Sequence, residues 1–158
     1  MQKIAPFLWF DGKVEEAMTF YTSIFKNSRV KDVMRQGEGG PGPKGSVMGA
    51  TFELEGQEFM ALNGGPMFSF TPAISFFVRC ETQEEVDDFA AKLSSDGGEI
   101  QPCGWLKDKY GLSWQIVPTA LGAMLQDKDP QKARRVMETM MKMKKLDIGL
   151  LKQAYEGR

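Results

Sequence analysis

The chain has 158 residues, 42% of them hydrophobic, with 20 basic residues against 21 acidic ones for a net charge of -1. That length suits one domain with one buried core, and a balanced charge without a basic block argues against a nucleic-acid partner. Histidine is absent, which excludes the commonest general base, Ser-His and Cys-His nucleophile pairs and imidazole metal sites together.

The opening "MQKIAPFLWFDGK" has an apolar run of seven residues, Ile4 to Phe10, closed by Asp11. It is too short for a signal-peptide core or a membrane span, so a cytoplasmic protein with no membrane partner is expected. "IAPFLWF" reads as a buried strand. After a turn at Asp11-Gly12, "DGKVEEAMTFYTSIF" carries Val14, Ala17, Met18, Tyr21, Ile24 and Phe25 at helical spacing. "RVKDVMRQ" reads as a strand, "GEGGPGPKGS" (37–46) as a loop, and "VMGATFELEGQEFMALNGG" as a hairpin turning at Glu55 to Gln57. The loop fails as a phosphate cradle, because Lys44 precedes Gly45, two prolines remove amide donors and a strand follows. A flexible flap over a cavity mouth is the expectation for it.

The second half repeats this βαβββ order. "AISFFVRC" is a strand, and "TQEEVDDFAAKLSSDGG" is a helix with Thr82 and Glu85 as a capping box, Val86, Phe89, Ala90 and Leu93 inward, and Gly97-Gly98 at its end. "EIQPCGW" and "GLSWQIVP" read as strands with "LKDKY" as the turn between them. A shift of 69 aligns Phe7 with Phe76, Glu15-Glu16 with Glu84-Glu85, Phe20 with Phe89 and Ile24 with Leu93 without a gap. Such self-similarity points to one duplicated supersecondary unit.

After Pro118 the composition turns to helix formers. Asp129-Pro130 starts a helix over "QKARRVMETMMKMKK", and a last helix covers "DIGLLKQAYEG". Met137, Met140 and Met141 form an apolar stripe, read as a docking face on the sheets or on a second subunit. Cys80 and Cys103 make no CxxC and read as small half-buried hydrophobes in a reducing compartment.

With "PFLWFDGKVEEAMTFY", "ALNGGP", "FTPAISFFV", "CGWLKDKYGLSWQIVP" and "MKKLDIGLLKQAYEG", the chain resembles the PhnB-like branch of the vicinal oxygen chelate superfamily. That superfamily also holds glyoxalase I, the bleomycin resistance proteins and extradiol dioxygenases, and relatives in this branch carry the label demethylubiquinone methyltransferase-like. The resemblance implies an α+β fold in which two βαβββ modules form curved mixed sheets around a cavity, usually as a homodimer. Module one is about 1–66, module two about 70–118 and the helical tail about 119–158, all within one domain over 1–158. In metal-using members the ligands come from the first and last strand of each module. Carried over, those positions fall at Gln115 and near Met60, Pro6 and Ser75, which supply neither imidazole nor carboxylate. No metal and no cofactor are expected.

Gln115 alternates with Trp114 and Ile116, so it faces away from both, and the resemblance puts it on the concave side. Around it the expected ligand pocket holds Phe7, Trp9, Phe52, Asn63, Arg79, Trp105, Tyr110 and Gln115, against the alternative that the aromatics are plain core. Arg79 reads either as the partner of an anionic ligand or as a surface residue at a strand end. Asp108, Tyr110 and Cys103 are the catalytic candidates, although Lys107, Asp108 and Lys109 also read as an exposed turn.

Two main functions compete. One is a metal-free homodimer that binds a small, partly apolar molecule, as bleomycin-resistance relatives do by sequestration. The other is an enzyme of the glyoxalase/dioxygenase superfamily acting on a small metabolite, glyoxalase- or lyase-like or of an unassigned activity, either through a weak metal site involving Gln115 or without metal through Asp108, Tyr110 or Cys103. A third reading has the chain act chiefly through its Met-rich tail. Methyl transfer is not carried over, because no Gly-rich turn joins a strand to a helix with an acidic residue on the next strand.

Overall fold

A computed structural model describes residues 2–158 and gives an α+β fold. The chain divides into two compact units, the first running to Phe70 and the second covering Thr71–Arg158. No helix among the described residues is long and apolar enough to cross a membrane.

In the first unit β1 (Phe7–Phe10), α1 (Val14–Ile24), β2 (Arg29–Arg35), β3 (Val47–Leu54) and β4 (Gln57–Asn63) form a sheet ordered β1-β4-β3-β2. The pair β1–β4 is parallel and the others are antiparallel. Helix α1 buries Val14, Ala17, Met18 and Tyr21, the stripe its spacing predicts. The Tyr21 ring stacks on Phe52 at 6.4 Å, and Phe52 on its cross-strand partner Phe59 at 5.6 Å, so the core of this unit is an aromatic stack. The glycine-rich stretch is the β2–β3 connection, closed by Gln36 N–H donating to Ser46 O at 2.7 Å and Gly45 N–H donating to Gln36 O at 2.8 Å.

The second unit repeats the plan with β5 (Ser75–Cys80), α2 (Gln83–Leu93), β6 (Glu99–Ile100), β7 (Trp105–Lys107) and β8 (Ser113–Pro118), ordered β5-β8-β7-β6 with β5–β8 parallel. Thr82 caps α2 by accepting from Glu85 N–H at 3.1 Å, and Glu85 accepts from Glu81 N–H at 2.9 Å. "EIQPCGW" is broken by a short 3-10 turn at Pro102–Gly104, so it yields β6 and the first residue of β7 rather than one strand. Proline at 102 has no amide for a ladder, and Cys103 and Gly104 both take positive φ.

The gap-free shift of 69 holds for the helices and fails for the strands. Helix α1 over 14–24 maps onto α2 over 83–93. In the sheets, however, Phe7 pairs with Met60 and Phe77 with Gln115, and Phe7 and Phe77 are both exposed, while Phe76 packs on buried Trp114. The strands therefore match at 70, so Phe7 corresponds to Phe77 rather than Phe76. One residue more separates β1 from α1 than β5 from α2, and a one-residue slip exchanges the faces of a strand.

Three tail helices follow, α3 (Thr119–Leu125), α4 (Pro130–Met141) and α5 (Ile148–Glu156). Asp129 and Asp147 cap the last two by accepting from Gln131 and Leu150 N–H. Helix α4 ends at Met141 rather than Lys145, and the chain then turns toward Leu146, which is fully buried with Val117, Leu121, Met124, Val136 and Leu151. Of the methionine stripe, Met140 packs against this core, whereas Met137 and Met141 stay exposed.

Candidate functional site

Strand β8 sets the site because its two faces are used differently. Trp114 and Ile116 turn to one face, and Gln115 and Val117 to the other, where Val117 packs against the tail core. In register with Gln115 lie Phe77 on β5 and Trp105 on β7, and in register with Val117 lies Arg79. These side chains form one wall of a cleft of about 670 Å³ inside the second unit. Helix α3 contributes Leu121, Gly122, Leu125 and neighbours, and α4 contributes Met140. Cys103 also lines it, held at φ +63° while its N–H donates to Met143 O at 2.8 Å.

Of the pocket expected from sequence, the cleft gathers Arg79, Trp105 and Gln115. The guanidinium of Arg79 lies over the Phe77 ring, 5.6 Å from its centroid. Gln115 donates from Nε2 to Ser75 Oγ at 2.9 Å. Two of the positions carried over for a metal are thus bonded to each other as amide and hydroxyl. Among the described residues, no group of three or more His, Cys, Asp or Glu is placed to hold a metal ion. Ser113, in register with Ser75, has a buried Oγ without a hydrogen-bond partner among the described residues.

Phe7, Trp9, Phe52 and Asn63, also expected in the pocket, belong to the first unit. Phe52 is 1% exposed, in the core stack of the first unit. Asn63 is spent on structure, accepting from Val14 N–H at 3.0 Å to cap α1 and donating to Val47 O at 3.0 Å. Trp9 donates from Nε1 to Gly65 O at 2.9 Å and meets Phe68 edge-on at 4.8 Å. Phe7, on the same sheet face as Trp9, is 56% exposed.

Among the catalytic candidates only Cys103 lines the cleft. Asp108 is not part of an exposed turn, since it is 2% exposed. Its Oδ1 accepts from Tyr110 N–H at 2.9 Å and Leu112 N–H at 3.0 Å, and its Oδ2 accepts from Trp114 Nε1 at 2.9 Å. A short loop between two strands leaves amides pointing inward, and a carboxylate is the side chain that can accept several of them. Tyr110 sits in that turn with Lys109 Nζ 5.6 Å from its ring centroid, away from the cleft walls. Cys80 is fully buried, and burial, aided by Glu85 and Glu81, pushes its thiol up to about 11, so it stays protonated.

Sequence reasoning missed Phe77 and the whole α3–α4 wall. Phe77 was within reach, because it stands two residues before Arg79 on one strand and so shares its face.

The family described as 3-demethylubiquinone-9 3-methyltransferase matches residues 2–117. The PhnB protein of Bacillus cereus is 47% identical, with a TM-score of 0.68, over 75% of this chain and 100% of its own. A Pseudomonas aeruginosa protein is 20% identical over 75% of this chain and 98% of its own, with a TM-score of 0.61. The fosfomycin resistance protein FosX of Listeria monocytogenes is 14% identical over 72% and 89%, with a TM-score of 0.50; at these identities the likeness is one of fold. No curated protein matches. Helices α3, α4 and α5 lie beyond the family match, which ends at the cleft residue Val117.

Proposed function

This chain belongs to the PhnB-like 3-demethylubiquinone-9 3-methyltransferase family, and from that premise we propose that it binds a small, partly apolar molecule in the cleft of its second unit. The observation that carries the reading is the composition of that cleft, where Phe77, Trp105, Leu121 and Leu125 surround the few polar groups of Gln115, Gln126 and Arg79. Apolar walls with a few convergent polar groups are what a small-molecule site needs.

The reading includes action without a metal, supported by the Gln115–Ser75 hydrogen bond where ligands would be sought. It also includes a homodimer, supported by the exposed Phe7, Val30, Met34 and Met60 of the first sheet. Methyl transfer stays outside it, because the strand-to-helix turns, Asp11-Gly12-Lys13 and Glu81-Thr82, offer no glycine-rich cradle for a nucleoside cofactor.

Gly122 provides the test. It lies in α3 on the cleft wall, and a Cβ added there meets nothing within 4 Å, so Gly122→Phe is chosen to set a ring on that wall. Titration with the neutral dye N-phenyl-1-naphthylamine, followed by fluorescence, is expected to show an affinity about tenfold weaker in the variant, because the ring occupies the apolar contact area. Equal binding by both proteins overturns the cleft as the site. Native mass spectrometry after incubation with divalent ions is expected to give the mass of two bare chains, and a stoichiometric metal overturns the metal-free part.

A further inference from the structure

We propose that the ligand of this cleft is an amphipathic monoanion, an apolar body of one or two rings carrying a single anionic group that Arg79 holds. This rests on the binding reading above and gives it a ligand class.

The first argument is charge. Among the described residues that line the cleft, Arg79 is the one charged side chain, and none is a carboxylate. The nearby Glu81 does not line it, and its Oε2 accepts from the hydroxyl of Thr119 at 3.2 Å. Every other arginine is committed: Arg29 to Glu53, Arg35 to Glu15, Arg134 to Glu138, Arg158 to Glu156, and Arg135 to the carbonyls of Ala154 and Tyr155. Arg79 has no such partner among the described residues and rests only on the Phe77 ring. A cation–π contact at 5.6 Å uses the charge without using the N–H donors, so the N–H fork is left to take a planar or tetrahedral anion.

The second argument is spacing. Phe77, Gln115 and Trp105 form a row across three strands, and Arg79 stands two residues further along β5. Strand geometry makes that row roughly 10 Å wide and places Arg79 roughly 7 Å from it, which suits one or two rings ending in an anion. With Nε2 of Gln115 bound to Ser75, its carbonyl oxygen is left to accept from a donor on the ligand. Because α3 and Met140 lie beyond the family match, the facing wall belongs to this chain's own tail.

The test uses two dyes that share a ring system, 8-anilinonaphthalene-1-sulfonate and its neutral counterpart N-phenyl-1-naphthylamine. The intact protein is expected to bind the sulfonate about tenfold more tightly, as one charge-assisted contact provides, with the margin shrinking as salt is raised. Arg79→Gln is expected to abolish that margin by weakening the sulfonate about tenfold, with a smaller change for the neutral dye, which touches the same wall without needing its charge. Equal affinities in the intact protein, or a margin that survives Arg79→Gln, overturns the proposal. If Gly122→Phe weakens both dyes while Arg79→Gln changes neither, the cleft binds and the anionic class is wrong. If Gly122→Phe weakens neither, the binding reading itself fails and takes this proposal with it.

Discussion

In the first unit β2 and β3 run for seven and eight residues, and the sheet face opposite α1 carries exposed Phe7 and Met60. In the second, β6 and β7 shrink to two and three residues, and the lost ladder is replaced by the tail: Cys103 N–H donates to Met143 O and Gly104 N–H to Lys144 O, both at 2.8 Å. Backbone donors withdrawn from a ladder must find acceptors elsewhere, and the tail provides them. Strand order and helix length are the same in both units. The difference lies in what meets the sheet, and the cleft occurs in the unit whose hairpin has been traded for helices.

The turns before β4 and β8 offer the sharpest way to break this comparison. The β3–β4 turn is an exposed Glu55-Gly56 pair, whereas the β7–β8 turn is organised around the buried carboxylate of Asp108. Asp108→Ala leaves three N–H donors without their acceptor and is expected to cost about 4 kcal/mol in urea unfolding. Glu55→Ala is expected to stay within about 0.5 kcal/mol, as an exposed substitution should. Similar costs at both positions would mean that the second turn is held by its backbone alone.

A smaller contrast separates two glycines in left-handed backbone. A Cβ on Gly104 would come within 2.8 Å of Leu146 Cδ1 and 3.0 Å of Ile116 O, whereas one on Gly12 meets nothing within 4 Å. Gly12→Ala therefore carries only the backbone strain of about 1 kcal/mol, while Gly104→Ala adds overpacking and is expected to cost about 3 kcal/mol. Equal costs by equilibrium denaturation would show that the tail is not tightly seated on the β6–β7 connection.

Most of this architecture was legible in the sequence, because periodicity reports directly on which face is buried. Val14, Ala17, Met18 and Tyr21 mark α1, and Thr82 with Glu85 marks the start of α2. The duplication was visible too, but a gap-free alignment hides a one-residue difference between two turns, and that difference moves Phe7 from the face of Phe76 to that of Phe77. Period two could also have kept Phe52 out of the pocket, since Ala50, Phe52 and Leu54 alternate as one buried row. The facing wall was not legible: the pattern of α3 and α4 shows an apolar side but not which sheet it meets. Asp108 was hidden between two lysines, and charge content says nothing about amides that converge on one carboxylate.

The smallest expected effect tests the clasp that closes the tail of the second unit. Tyr155 donates its hydroxyl to Asp127 in the α3–α4 link, and its ring also meets Lys132 Nζ at 4.9 Å. Tyr155→Phe keeps the ring and removes only the hydrogen bond. The bond to the Tyr155 hydroxyl, with the amide of Asp129, holds the Asp127 carboxyl below its ordinary 3.8, and the bond to Asp127 raises the Tyr155 phenol above its ordinary 10.0. A depressed carboxyl stabilises the fold above its unfolded value and loses that contribution as pH falls through the folded pKa. A raised phenol contributes below its unfolded value and loses the contribution as pH rises through the folded pKa. The melting temperature of Tyr155→Phe is therefore expected to fall slightly below that of the intact protein between pH 3.8 and 10.0, with the gap closing beyond each end. A gap that stays constant at both extremes would assign the role of Tyr155 to packing of its ring, and the tail would then be held by its apolar core around Val136 and Leu151 rather than by the clasp.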